Sequence, residues 1–285
     1  MTQEHYFSLV TLKDGVRHGQ AIREIAQNAY RQHQLLWKLF ENKFERKKDA
    51  KTGNPENVFL FREDRHEGQL CFYLLSPHSP VEPDDTWREQ GELWKIRTKP
   101  YQPKLVEGKK VGFALRANPV VTRKQERTEE ETAKFLAERQ QKGLREKNTK
   151  KRYHDDLVMR KKREWKQEHP NKQPDMPSLI QKAGLEWLEN QAWEKDKKTG
   201  KPKGEPSFKI IPQEIQINNY REHCFYNKQS FEKERLIKVH SLDFQGNLTI
   251  NDPKKFQELL VKGLGKAKGF GFGLMLIRAP YNIYP

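Results

Sequence analysis

The chain has 285 residues, a formal charge of +16 and a pI near 9.6, which leaves room for two small domains, each with its own core, and points to a polyanionic partner, nucleic acid first. No apolar run reaches spanning length and no helix sets a basic face against a Trp/Leu face, which weighs against a membrane partner. The opening Met1-Thr-Gln-Glu-His-Tyr6 lacks the basic-then-apolar pattern of a secretory signal, so a cytoplasmic location is expected. Cys71 and Cys224 stand alone in strand-like surroundings, without a CxxC or a Cys/His cluster that would hold zinc; both read as reduced packing residues, and no metal or cofactor is expected.

In chain order, residues 6–12 alternate as a strand does, and residues 17–40 carry Ile22, Ile25, Ala29, Leu36 and Phe40 at helical spacing. Two aromatic and β-branched runs, 57–61 and 69–75, flank a charged turn through Gly68 and form a hairpin; a short helix at 84–90 and a strand at 93–98 follow. This first half spells βαββαβ. After the Pro-rich linker at 99–104, the order repeats: a strand at 110–121, a helix at 176–193 bearing Leu179, Ile180, Ala183, Trp187 and Leu188, strands at 208–217, 220–226 and 236–244, a helix at 253–261, and a last strand at 274–277. The expected fold is therefore α+β: two tandem ferredoxin-like domains, residues 1–104 and 105–285, each an antiparallel sheet with helices on one face.

Between residues 123 and 172 there are 17 Lys/Arg against 10 Asp/Glu and few apolar side chains, so this insertion cannot supply much core. It reads as a solvated helical arm or a dedicated binding element. Near the C-terminus, residues 263–273 are glycine-rich: Gly263, Gly265, Gly269, Gly271 and Gly273 surround Lys266 and Lys268. The order helix, glycine loop, strand is the reverse of that in mononucleotide-binding loops, where a helix N-terminus faces the phosphates. Exposed amides and two ammonium groups suit an extended polyanion; alternatively, the glycines end the helix and kink the strand.

On the first helix, Tyr30 and His33 lie one turn apart on a shared face. Imidazole, with an unperturbed pKa of about 6.5, can exchange a proton with ribose oxygens near neutral pH, whereas tyrosine, at about 10, chiefly orients or donates a hydrogen bond. A core histidine bonded to backbone is the alternative. The carboxylates are dispersed, which favours metal-independent chemistry.

Four ordered segments then become recognisable: Asn28-Ala-Tyr30-Arg-Gln-His33-Gln-Leu-Leu-Trp37-Lys38-Leu-Phe40, Leu115-Arg116-Ala-Asn118-Pro119, Gly246-Asn-Leu-Thr-Ile-Asn251-Asp-Pro253, and the glycine loop. The chain resembles the type I-E, or CasE, family of CRISPR-associated endoribonucleases. The resemblance implies tandem ferredoxin-like domains that bind the hairpin of a CRISPR repeat transcript and cut at its 3' base by 2'-OH attack, leaving a 5'-OH and a 2',3'-cyclic phosphate. It also implies retention of the crRNA as a Cascade subunit beside the crRNA-binding backbone subunit. By that match His33 is the acid/base and Tyr30 its partner. Lys38 falls where relatives carry a lysine near the cleaved phosphate, although five residues turn a helix by about 140° from His33. Arg116 is expected to hold either RNA phosphate or the seam between the domains. The basic hairpin that relatives insert into the RNA groove corresponds to residues 220–235, with Arg221, His223, Lys228, Lys233 and Arg235 as candidate contacts.

Overall fold

The computed structural model describes residues 4–13, 25–26, 28–40, 59–81, 94–141, 143, 150–196, 201–227 and 235–282. The first sheet comprises β1 (Tyr6–Leu12), β2 (Leu60–His66), β3 (Gln69–Ser76) and β4 (Trp94–Pro100), with helix α1 (Ala29–Lys38) after β1. Its order is β2-β3-β1-β4, antiparallel throughout. Alternation along the strands directs Val10, Phe61, Phe72 and Leu74 onto one face, where they bury Leu35, Leu36 and Leu39 at α1. Asn28 caps α1: its side chain accepts from the amides of Tyr30 at 3.0 Å and Arg31 at 3.3 Å. The expected helix at 84–90, and residues 17–24 of the expected first helix, lie outside the described residues.

One boundary differs from the sequence reading. The charged stretch after Phe61 is not turn but strand: β2 runs on to His66, and only Glu67 and Gly68, with φ of 51° and 77°, make the turn. Charges are accommodated here because β2 has two environments. Arg62 and Asp64 share one face, and Glu63 points to the other, where it meets Gln32 of α1.

The second sheet comprises β5 (Lys110–Ala117), β10 (Phe208–Asn227), β11 (Arg235–Ile250) and β12 (Met275–Arg278), in the order β10-β11-β5-β12. Both sheets thus have the strand order of the expected ferredoxin-like units. Phe113, Leu115, Phe244 and Leu248 bury one face against α4 (Met176–Ala192) and α5 (Pro253–Lys262), with Trp187, Leu188, Phe256 and Leu260 as the main helix contributions. The strand expected at 110–121 ends at Ala117, because Pro119 has no amide to continue the ladder. The two strands expected at 208–217 and 220–226 are one strand, β10, bent by register shifts between Ile210 and Ile215 and between Asn218 and Arg221.

The insertion is more structured than its composition suggests. It folds as β6 (Val120–Gln125), α2 (Glu129–Gln141), β7 (Lys151–Asp156) and α3 (Leu157–Glu168), with β6 and β7 paired in a separate two-stranded ribbon. Leu157 and Val158 are fully buried in the core beneath the second sheet, so the insertion does supply core at the start of α3. A short ribbon of β8 (Glu194–Lys195) and β9 (Pro202–Lys203) completes the strands.

Candidate functional site

The edge of α1 that carries Tyr30 and His33 lies between the helix's buried side and its solvent side. The His33 ring stacks on Phe59, with centroids 5.1 Å apart, and is flanked by Phe61 and Trp37, each at 6.0 Å. Its Nδ1 is buried and lacks a hydrogen-bond partner among the described residues. Burial in this aromatic nest disfavours the imidazolium and pushes the His33 pKa below its ordinary value. The imidazole is therefore held neutral near pH 7, the state of a proton acceptor. No hydrogen bond joins Tyr30 to His33 among the described residues, although both occupy the same edge one turn apart. Lys38 is exposed at the last turn, well round the helix from that edge.

The opposite flank of α1 closes on the second half of the chain. Ala29 packs with Phe225, Val239 and Phe272, and the 3-10 turn Lys268–Phe270 of the glycine loop lies against α1. Between them is a crevice of about 80 Å³, bordered by Ala29, Gln32, Glu63, Arg116, His223 and Gly271. Its polar groups are largely paired. Gln32 Nε2 donates to Glu63 at 2.6 Å, and burial raises the Glu63 pKa, with this bond opposing the rise. Arg116 donates to both oxygens of Asp243, at 2.7 and 3.2 Å, and Asn219 donates to the same carboxylate at 3.0 Å. His223 Nε2 lies 2.8 Å from Ser241 Oγ, and burial lowers its pKa, assisted by Arg116 and Arg221. The Arg116 guanidinium is engaged by Asp243, its cross-strand neighbour on β11 within the second sheet, while the residue also borders the crevice that α1 closes.

In the glycine loop most of the glycines are packed within the fold, as in the second of the two readings of its sequence. The amides expected to lie against a phosphate chain are used internally at three of the five glycines: Gly263 N–H donates to Leu259 O, Gly271 N–H to Lys268 O, and Gly273 N–H to Arg116 O. Gly263, Gly265, Gly271 and Gly273 also have φ between 74° and 89°, and a Cβ at each would meet Leu60, Trp187, Phe61 or the Leu264 carbonyl. These glycines let the chain leave α5 and enter β12 at close quarters. Gly269 alone has an ordinary φ and open space around it. The lysines are likewise committed. Half-buried Lys268 donates to the Lys262 carbonyl at the end of α5, at 2.6 Å, and desolvation lowers its pKa to about 8. Lys266 is exposed and reaches Thr122 at 2.8 Å and His154 at 3.1 Å on the β6–β7 ribbon.

Arg221 is exposed on β10; Arg235 opens β11, opposite Asn227 in register; Lys228 and Lys233 lie outside the described residues. The structure thus brings Arg116, Gly271 and α1 to one crevice and leaves Lys38 and Arg221 away from it. The residues that sequence reasoning missed are Phe59, Phe61 and the Gln32–Glu63 pair. A glutamine on the buried side of an amphipathic helix and a glutamate inside a strand were the available signals. A larger cleft of about 640 Å³, between Phe7, Tyr73 and Tyr101 on one side and Leu274 and Leu276 on the other, contains none of the expected site residues. Among the described residues no three His, Cys, Asp or Glu side chains cluster as metal ligands do.

A family model described as "CRISPR associated protein" matches residues 5–279. The chain belongs to that family. The fold is also that of solved members. A structure of the CRISPR endoribonuclease Cse3 bound to a 19-nucleotide RNA matches with a TM-score of 0.54 at 20% identity, covering 98% of this chain and 100% of that one. Thermus thermophilus Cse3 bound to an RNA representing a pre-cleavage complex matches at 0.52 and 19% identity, over 96% and 99%. A chain of a CRISPR RNA-guided surveillance complex in a pre-nicking state matches at 0.50 and 16% identity, over 95% and 99%. Against curated proteins the sequence finds no match. No helix among the described residues is long and apolar enough to cross a membrane.

Proposed function

We propose that this protein is a metal-independent endoribonuclease that binds the hairpin of a CRISPR repeat transcript and cleaves at the hairpin's 3' base. The observation that carries the reading is His33: a neutral imidazole, held so by burial against Phe59, on the edge of α1 of a fold shared with RNA-bound Cse3. In this reading His33 takes the proton of the ribose 2'-OH as that oxygen attacks the adjacent phosphorus. The bond to the 5'-oxygen breaks, the proton passes to that leaving oxygen, and the products end in a 2',3'-cyclic phosphate and a 5'-OH. Tyr30 positions the phosphate or ribose by a hydrogen bond. Lys38 has a lesser role, because the helix carries it away from His33. The +16 charge supplies the general affinity for RNA, with Arg221, Lys228, Lys233 and Arg235 of the sequence segment 220–235 as its contacts. Residues 1–104 form the domain with the catalytic helix, and residues 105–285 the domain with the hairpin and glycine loop. The product RNA stays bound, and the protein then serves as a subunit of a surveillance complex beside the backbone subunit that coats the crRNA.

A second reading is favoured by one observation. The stacking of the His33 ring on Phe59 also fits a packing histidine in a non-catalytic hairpin-binding protein. Single-turnover cleavage of repeat RNA by wild type and His33→Ala separates the two. A loss of roughly 10²–10⁴ in rate with little change in affinity supports catalysis, and equal behaviour of the two proteins supports the binding module.

A further inference from the structure

Apart from Leu157 and Val158, the insertion at 123–172 buries little. β6 holds no buried residue, and neither does α2. An arm that contributes so little apolar burial is carried for its surface, and that surface is ordered by charge. Cross-strand register pairs Thr122 with His154 and Lys124 with Arg152, placing both pairs on one face of the ribbon, while Arg123/Tyr153 and Val121/Asp155 occupy the other.

The acidic groups of the ribbon are used elsewhere. Asp155 pairs with Arg163 at 2.6 Å and Arg123 at 3.4 Å; Asp156 caps α3 through the Met159 amide at 2.8 Å and accepts from Tyr220 Oη at 3.0 Å. At the root of α2, Lys150 pairs with Glu126 and Lys151 with Glu131. Lys124 is exposed and makes no ion pair among the described residues. The same ribbon face meets Lys266 of the glycine loop, through Thr122 and His154, and the backbone of Lys266 bridges to Asn118 at the ribbon's base. The loop's 3-10 turn, two residues further on, lies against α1. A continuous track therefore leads from α1 through the glycine loop onto the ribbon face; apart from Asp156 at the ribbon's base, whose carboxylate is taken up by the α3 cap and Tyr220, the charged residues of that face are cationic.

We propose that the β6–β7 ribbon is a second RNA-binding surface: its Thr122/His154/Lys124 face, with Arg152 at the register position beside Lys124 and continuous with Lys266, holds the phosphate backbone of the RNA whose hairpin is processed. This proposal rests on the endoribonuclease reading. The face presents no aromatic residue of the Phe, Tyr or Trp type for base stacking and no bidentate pairing group such as Asn or Gln, so it takes phosphate and reads no sequence. It extends the RNA-binding surface beyond the β10–β11 hairpin.

The test uses the full chain with both substitutions Lys124→Gln and Arg152→Gln, and separately Lys124→Glu alone. Dissociation constants for repeat RNA are measured from low to moderate salt, with circular dichroism melting as a folding control. Removing one phosphate-neutralising cation lowers the log-log salt slope by about 0.7–0.9, so the double variant should have a slope smaller by about 1.4–1.8 and bind several-fold more weakly at low salt. The single charge reversal, which leaves the register intact, should weaken binding in the same direction. If wild type binds and cuts the RNA while both variants bind with its affinity and slope, the ribbon is not an RNA surface, and a protein partner becomes the occupant to seek. If wild type fails to bind the RNA at all, both this proposal and the reading beneath it fall.

Discussion

Gly273→Ala should unfold the connection between the glycine loop and β12, whereas Gly269→Ala four residues earlier should be harmless. At Gly273 φ is +89°, and an added Cβ would sit 2.4 Å from the Leu264 carbonyl oxygen. That carbonyl belongs to a residue whose amide donates to Gly273 O at 2.9 Å, and the Gly273 amide donates to Arg116 O at 2.8 Å, so relief of the clash strains both bonds. The left-handed backbone costs an L-residue about 1–2 kcal/mol. Forcing apart close-packed atoms costs about 1–3 kcal/mol more. A loss of about 2–5 kcal/mol corresponds to a fall in melting midpoint on the order of 5–15 °C for a chain of this size. At Gly269 the φ is ordinary and nothing lies within 4 Å of the Cβ position. Alanine there should range from neutral to about 1 kcal/mol stabilising, by restricting the unfolded chain. Urea or thermal unfolding of the two variants beside wild type gives both numbers. Equal effects at the two sites, or a large loss at Gly269 alone, would refute the conclusion that the loop's glycines serve its internal packing.

Further outcomes follow from the Arg116–Asp243 pair and the site. Arg116→Met leaves the Asp243 carboxylate with Asn219 alone, and should cost about 1–3 kcal/mol in urea unfolding; adding Asp243→Asn should recover part of that, and strict additivity of the two would show that the pair is not coupled. Because burial depresses the His33 pKa, the base is half-protonated only at a pH below the ordinary imidazole value of about 6.5. The midpoint of the acid limb of single-turnover cleavage should therefore lie below about pH 6.5; a rate already halved at pH 7 would contradict the buried position. The same shift makes the folded state bind this proton less readily than the unfolded chain, so its contribution to stability is complete above about pH 6.5 and is lost as pH falls toward the folded value. Wild type minus His33→Gln unfolding free energies should show that slope, and a flat difference would not fit it. Phe59→Ala opens the ring stack on His33, and should cost about 3–5 kcal/mol in stability while moving the acid limb of cleavage upward in pH; an unchanged limb would show that Phe59 does not set the histidine's environment.

The strand order of both sheets was legible because alternation and helical spacing are local signals, and Val10, Phe72, Phe113 and Phe244 all lie on the faces that alternation assigns them. What was not legible depended on partners distant in sequence. Arg62, Glu63 and Asp64 look like a turn until Gln32 and the second strand environment are present to receive them. The 20-residue β10 reads as two strands because its bends interrupt the alternation while its pairing with β11 continues. At the candidate site, the shared face of Tyr30 and His33 was legible from spacing within one helix, but Phe59 and Phe61, which ring the imidazole, come from another part of the chain. For the glycine loop the sequence left two readings open, because a glycine pattern shows that backbone can approach something closely without showing what it approaches: Leu60, Phe61, Trp187 and the Leu264 carbonyl lie at these positions. The insertion's composition correctly indicated charge and little core, yet Leu157 and Val158 at the start of α3 had no periodic neighbours to mark them as buried.

The central claim is tested most directly by incubating the purified protein with its repeat RNA in EDTA, beside the same RNA carrying 2'-H in place of the 2'-OH before the scissile phosphate, and analysing the product ends. The account predicts cleavage of the all-ribose RNA to a 2',3'-cyclic phosphate and a 5'-OH, with the deoxy-substituted RNA bound but uncut. Loss of activity in EDTA, cleavage of the deoxy-substituted RNA, or the absence of any cleavage would contradict it.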